Sequence, residues 1–316
     1  VQEFGHQLRL YVQLNSVETG DQLWAHTFEQ RDVVGKEDEF QVDVAEKILG
    51  AITGMNGAIV RYEIEKKFDF SDELNRRADP LIYWYRQYSN KFDIPTINKA
   101  KEYYEQVIRQ EPTNVMALAY LSEILVGEMI LLQTIDTRET NRALRHARLA
   151  IQIDPYCQQG YLALAINMLI SKKLEECVHV LEQGLEVNPK SVDYKGAMGA
   201  MLIYTGAFEK GVKILDEVMK LNPHLPWWQI LSYSYYSYHR RYYHDALFWA
   251  DRINMEVLYS LVIKAASYAQ LDHIDKGRLM LDELGIQYPD LVLSELGLKK
   301  FFNSERLIKE IMSGLN

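Results

Sequence analysis

The chain has 316 residues, 48% hydrophobic and 25% charged, with 35 Lys and Arg against 44 Asp and Glu for a net charge of −9. This is the balance of a folded chain, of a length suited to about two domains or one elongated repeat array. The acidic sum excludes a general binder of phosphate backbones, no run approaches the roughly 18 apolar residues of a membrane span, and two cysteines cannot form a disulfide scaffold.

Residues 1–70 read as the C-terminal part of an α/β domain. Leu8, Leu10, Val12 and Leu14 alternate with polar or amphipathic residues, which predicts a strand. Glu18-Thr19-Gly20-Asp21 marks a turn and Leu23 to Phe28 a second strand, so a hairpin is expected. After Gly35, apolar residues recur at Phe40, Val44, Ile48, Ile52, Met55, Ile59 and Tyr62 with helical spacing. Gly50, Gly54 and Gly57 each weaken that helix by about 1 kcal/mol relative to Ala. A hairpin and one helix bury little alone. The start at Val1, already mid-domain in pattern, reads as a fragment of a longer protein.

From about residue 80 the prolines act as a ruler. Pro155, Pro189 and Pro223 stand 34 residues apart, and this period resembles the tetratricopeptide repeat, one antiparallel helix pair closed by a proline. Tyr161, Leu164, Ala165, Cys177 and Leu181 fall at the aromatic, small and bulky positions of one such repeat, and Met198, Gly199, Gly211 and Leu215 at those of the next. Small residues there let paired helices approach closely. Trp84, Ala100, Tyr104 and Val107 mark a copy before Pro112, and the 43 residues from Pro112 to Pro155 imply nine extra residues around Met129 to Thr140. The 66 residues from Pro223 to Pro289 hold two more copies, with Ala246 and Ala250 in one and Ala265, Gly277 and Leu281 in the other. The expected fold is mainly α: a right-handed superhelical solenoid of about six helix pairs over residues 80–290, preceded by the β-hairpin and helix of 1–70 and closed by capping helices in 291–316.

The run from Leu8 to Ala25 resembles the last strands of the TolB-like amino-terminal domain of bacterial multi-domain signalling proteins. In these proteins tetratricopeptide repeats follow, opening with a segment like Tyr83-Trp84-Tyr85-Arg86 and a run like Lys99 to Pro112. Ala265 to Leu271 and the close from Phe301 to Leu315 are similar as well. Class III adenylate or guanylate cyclases and winged-helix transcriptional regulators carry such tails after an amino-terminal effector domain, often with a membrane helix between. The resemblance implies a sensory or scaffolding tail. It would lie in the bacterial cytoplasm, or in the periplasm if a membrane helix precedes Val1.

Chemistry is sparse. Gly35-Lys36 lacks the flanking residues of a phosphate loop, and the GxxG pieces at Gly54 and Gly196 lie within helical patterns. His239 and His244 are the nearest histidine pair, too few for a metal site. No catalytic residue, metal or cofactor is expected. Cys157 and Cys177 fall on opposite helices of one pair, several turns apart, and read as separate thiols packed like small apolar residues.

Binding remains. First-helix side chains of such repeats line a concave groove for an extended peptide or partner helix. The repeat register places Tyr85, Glu123, Leu162, Ile166, Asp193, Tyr204, Trp227, Ile230, Tyr238 and Tyr259 toward it. Between Trp227 and Trp249 stand ten aromatic residues, more than one packed face can hide, so some are expected to be exposed or covered by a partner. The expected function is a non-catalytic protein-binding or sensory module whose groove suits a neutral or basic segment. The alternatives are a homodimer formed through the aromatic repeat or the inserted residues, and a small-molecule sensor using the groove as its pocket.

Overall fold

The computed structural model describes residues 2–4, 7–31, 37–52, 57–59, 62, 92–132, 134–253, 255, 257–288, 308–309 and 311–313. Three antiparallel strands, β1 (Gln2–Phe4), β2 (Gln7–Asn15) and β3 (Gln22–Arg31), form a sheet in the order β1-β2-β3. The hairpin of β2 and β3 pairs Leu14 with Trp24 and turns through Gly20, whose φ of +77° suits glycine. The short β1 has no counterpart in the alternation pattern, because three residues are too few to display a period. Leu8, Leu10, Val12, Trp24 and Phe28 share the sheet face that covers Phe40, Val44 and Ile48 of α1 (Glu37–Ile52). The helix thus ends at Ile52 rather than running on to Tyr62 unbroken; Gly54 and Met55 lie outside the described residues.

Among the described residues eleven further long helices follow: α2 (Ile94–Gln110), α3 (Val115–Leu131), α4 (Thr137–Ile153), α5 (Gln158–Ile170), α6 (Leu174–Val187) and α7 (Val192–Thr205). Then come α8 (Phe208–Leu221), α9 (Trp227–His239), α10 (Tyr243–Ala250), α11 (Leu258–Gln270) and α12 (Ile274–Gln287). From α3 onward they form five successive pairs, a solenoid of tetratricopeptide type. The helix α2 precedes these pairs, and Trp84 and Tyr85 lie outside the described residues.

Local chemistry sets the boundaries. The side chains of Asp93, Asn114, Asp136 and Ser191 accept N–H bonds from the first turns of α2, α3, α4 and α7, satisfying donors the helix itself leaves open. Pro112, Pro155, Pro189 and Pro223 each stand two residues past a second helix, where a missing N–H and a fixed φ stop propagation. The nine extra residues of the second copy form no separate loop. Four lengthen α3 relative to α5, three lengthen α4 relative to α6, and two extend the turn between them.

Within pairs, one contact position recurs. Ala165 and Cys177, Gly199 and Gly211, Ser234 and Ala246, and Ala265 and Gly277 each stand twelve residues apart at equivalent places. At Gly211 an added Cβ would lie 2.5 Å from the Gly199 carbonyl oxygen, and at Gly277 it would lie 3.3 Å from that of Ala265. The residue closing the turn between the helices has a left-handed φ in four pairs: Lys172 (61°), Gly206 (97°), Arg241 (62°) and Asp272 (62°).

The N-terminal piece meets the solenoid at one of its weak helical residues. A Cβ on Gly50 would sit 3.0 Å from Val192 Cγ2, so glycine here permits α1 to rest against the start of α7, with Glu46 and Lys190 paired at 2.8 Å beside it. Of residues 291–316, the described ones are helical, and Ile308 and Ile311 are buried in the main core. Cys157 and Cys177 are both buried thiols, and burial pushes Cys177 up to about 12.

Candidate binding groove

The first helices of the pairs, α3, α5, α7, α9 and α11, are apolar on more than one face, as helices covered on two sides must be. One face of each packs on its own partner helix and the neighbouring pair. The other contributes to a cleft of about 170 Å³. Its walls come from Glu123, Val126, Gly127 and Ile130 of α3; Leu162, Ile166, Leu169 and Ile170 of α5; and Met201 and Tyr204 of α7. Trp227, Trp228, Leu231 and Tyr235 of α9, Tyr259 of α11 and Phe92 complete them. A cavity of about 150 Å³ accommodates a benzene-sized guest, so the cleft matches one large side chain or a small apolar molecule.

Six of the ten residues expected to face the groove line it: Glu123, Leu162, Ile166, Tyr204, Trp227 and Tyr259. Tyr85 lies outside the described residues. Asp193 is in the first turn of α7, half-buried and away from the cleft, and Ile230 packs against the core without lining the cleft. Tyr238 corrects the expectation most clearly: it is fully buried and packs edge-on against Tyr243 of α10 at 5.2 Å. It stands one turn beyond Ser234, whose hydroxyl donates to the Ala246 carbonyl at 2.8 Å, and residues four apart share a helix face. Tyr238 therefore faces its partner helix.

The lining residues beyond that expectation carry a readable signal. Glu123, Gly127 and Ile130 follow the spacing i, i+4, i+7, as do Leu162, Ile166 and Leu169; Trp227, Leu231 and Tyr235 follow i, i+4, i+8. One groove residue per helix therefore predicts the next turn. Phe92 precedes α2 and has no such register.

Rings and hydrogen bonds hold the wall in place. Trp227 packs on Phe92 at 5.1 Å and Tyr204 edge-on against Tyr235 at 5.7 Å. The Tyr204 hydroxyl donates to the Trp228 carbonyl at 2.7 Å, and burial raises its pKa, keeping it a neutral donor. Among the described lining residues Glu123 is the one of acidic or basic type. Burial pushes its carboxyl up to about 8, opposed by a hydrogen bond from the Gln159 side chain. Among the described residues the Trp227 indole N–H is buried without a hydrogen-bond partner.

Eight of the ten clustered aromatics are buried or half-buried, and four of these pair with one another: Tyr233 stacks on Trp249 at 4.5 Å and is bonded to Asp216 at 2.8 Å, and Tyr238 packs on Tyr243. Tyr242 and Phe248 are exposed, and the Arg252 guanidinium lies 3.6 Å above the Phe248 ring.

No protein-family model matches the chain, and no curated protein matches it in sequence. Among solved structures, a tetratricopeptide repeat protein from Parabacteroides merdae is 13% identical, covering 89% of this chain and 95% of that one at a TM-score of 0.48. PilF of Pseudomonas aeruginosa is 16% identical over 66% of this chain and 89% of its own, with a TM-score of 0.42. YrrB, described as a repeat protein of this type with an unusual peptide-binding site, is 16% identical over 63% of this chain and 98% of its own, with a TM-score of 0.36. With these three scores below 0.5, the architecture rests on the helix pairs of this chain.

Proposed function

We propose that the chain is a non-catalytic protein-binding module that docks an extended peptide or partner helix along its first helices, with a large side chain of that segment seated in the cleft. The carrying observation is the lining itself, apolar side chains aligned across five successive first helices with a single carboxyl among them. A surface of this kind gains by covering itself with a partner's apolar side chains. Peptide display against the full chain tests the reading. Selected peptides should bind the wild type and lose at least tenfold on Ile166→Glu, a half-buried wall position, while Leu149→Glu, 38% exposed and outside the cleft, leaves them unchanged. No enrichment, or equal binding to Ile166→Glu, would reject it.

The wider role we infer is that of a regulatory tail in a bacterial signalling protein of cyclase or winged-helix type, supported by the resemblance of the Leu8–Ala25 run and the chain's last residues to such tails. The reading frame upstream of Val1 decides it: an open frame encoding neither effector rejects this assignment and leaves a free-standing adaptor.

Self-association is a second reading, favoured by Leu132 (52% exposed) and Ile135 (43%) in the lengthened turn between α3 and α4. Sedimentation should show a dimer that Leu132→Lys with Ile135→Lys dissociates. A monomer at all concentrations eliminates it.

A further inference from the structure

We propose that the partner segment seated in the cleft carries a basic side chain, an arginine above all, that pairs with the Glu123 carboxylate while a backbone carbonyl of the same segment accepts the Trp227 indole N–H. This deepens the groove-binding reading and rests on it.

Two independent features of the wall ask for these groups. Glu123 faces an otherwise apolar cleft, and its Oε1 accepts from Gln159 Nε2. A carboxylate has about four lone-pair sites, so the bond to Gln159 leaves acceptor capacity on Glu123 for a guanidinium, whose fork matches carboxylate geometry. The indole N–H is a donor only, and a buried donor without an acceptor is a liability that a ligand carbonyl removes. One arginine residue supplies both a cation at the end of its side chain and a carbonyl at its base. Its aliphatic stem suits the apolar side chains of Ile166 and Met201, which line the same cleft. The chain's net charge of −9 favours approach of a basic segment over an acidic one.

Titration sharpens the assignment. Among the described residues the Cys157 thiol before α5 lies within electrostatic reach of Glu123, the phenols of Tyr204, Tyr235 and Tyr259 line the same cleft, and none of these supplies a cation. With its carboxyl pushed up to about 8, Glu123 holds a proton at pH 7 that a bound cation expels. One pH unit amounts to about a tenfold penalty, and a bidentate charge-assisted pair outweighs it. Affinity for a cationic segment therefore rises with pH up to about 8 and then levels, whereas affinity for a neutral segment does not rise.

Calorimetry with the full chain and the peptides acetyl-Ala-Leu-Xaa-Leu-Ala-amide, Xaa being arginine, citrulline or glutamate, tests this. Citrulline keeps the shape of arginine and removes its charge. The expected result is at least tenfold tighter binding of the arginine peptide than of either other, with the gap widening from pH 6 to 8. Glu123→Gln should erase the gap while still binding the citrulline peptide. Trp227→Phe, which keeps the ring and removes the N–H, should weaken the arginine and citrulline peptides alike by about fivefold, with circular dichroism confirming an intact fold. Equal binding of arginine and citrulline overturns the cationic anchor. If Ile166→Glu then abolishes both, the groove reading survives alone. An unchanged Trp227→Phe overturns the carbonyl contact, and no binding by any of the three peptides overturns both readings.

Discussion

The α7/α8 and α9/α10 pairs share one architecture and close it by different chemistry. In α7/α8 the helices touch backbone to backbone, with Gly211 against the Gly199 carbonyl and Ile203 buried a turn later. In α9/α10 the equivalent positions are Ser234 and Ala246, bridged by a hydroxyl bond, and the equivalent of Ile203 is Tyr238, wedged against Tyr243. One pair gains contact by deleting side chains, the other by filling the space with rings and satisfying the hydroxyl internally. The lesson is that the repeat fixes a separation between helices at one point and leaves open how the surrounding volume is occupied.

The sharpest way to break this comparison is to empty the filled pair. Tyr238→Ala removes a ring that is 0% exposed and should destabilise the protein by about 3–5 kcal/mol in urea unfolding, the range for deleting a buried aromatic. A loss near 1 kcal/mol would mean that Tyr238 faces solvent or a groove after all. The substitution is thus a stability probe, and is unsuited to testing partner binding.

Filling the emptied pair is the converse. Gly211→Ala places a methyl 2.5 Å from a backbone oxygen and 2.7 Å from Ile203 Cγ1. Overpacking of about 1–3 kcal/mol exceeds the gain of up to about 1 kcal/mol from replacing glycine within a helix, so the net effect should be a loss of about 1–2 kcal/mol. Thermal unfolding that shows Gly211→Ala unchanged or more stable would dismiss the backbone contact as the reason for glycine there. In the other pair, Ser234→Ala keeps the separation and removes one bond, at a cost of about 1 kcal/mol. A loss as large as that of Tyr238→Ala would show that the hydroxyl, not the ring, closes α9/α10.

The same contrast separates what is legible in the sequence from what is not. Gly199, Gly211, Ala246, Ala265 and Gly277 can be found by counting, because a steric limit at a fixed period admits few residue types. Ser234 escapes, since a small polar residue within a run of tyrosines looks like a surface position until its acceptor on α10 is known. The groove is half legible. Leu162, Ile166 and Trp227 follow from register, yet Tyr238 has the same spacing logic and turns inward, because register alone does not say which of two apolar faces meets the partner helix. The density of aromatics from Trp227 to Trp249 suggests exposure, but Tyr233 stacks on Trp249, Tyr238 packs on Tyr243 and Phe248 lies under Arg252, so part of the cluster is consumed locally while Trp227, Trp228 and Tyr235 line the cleft. Gly50 carries its signal in plain view: a glycine inside a helix points to close approach, and only the position of Val192 shows against what.

The smallest expected effect lies at the turn that both pairs share. Gly206 takes φ +97°, where an L side chain is strained, whereas Arg241 occupies φ +62° at the equivalent place with a full side chain. A left-handed conformation costs a non-glycine residue about 1–2 kcal/mol. Arg241→Gly relieves that strain but frees the unfolded chain, which offsets about 0.4–1 kcal/mol of the gain. The Arg241 side chain is exposed, and contacts of an exposed charged side chain contribute little. The net result should be stabilisation of about 0.5 kcal/mol, read as a small rise in the urea midpoint with an unchanged slope. A clear loss would show that the arginine side chain holds the turn, and that the ring-filled pair depends on its turn residue in a way the glycine-closed pair does not.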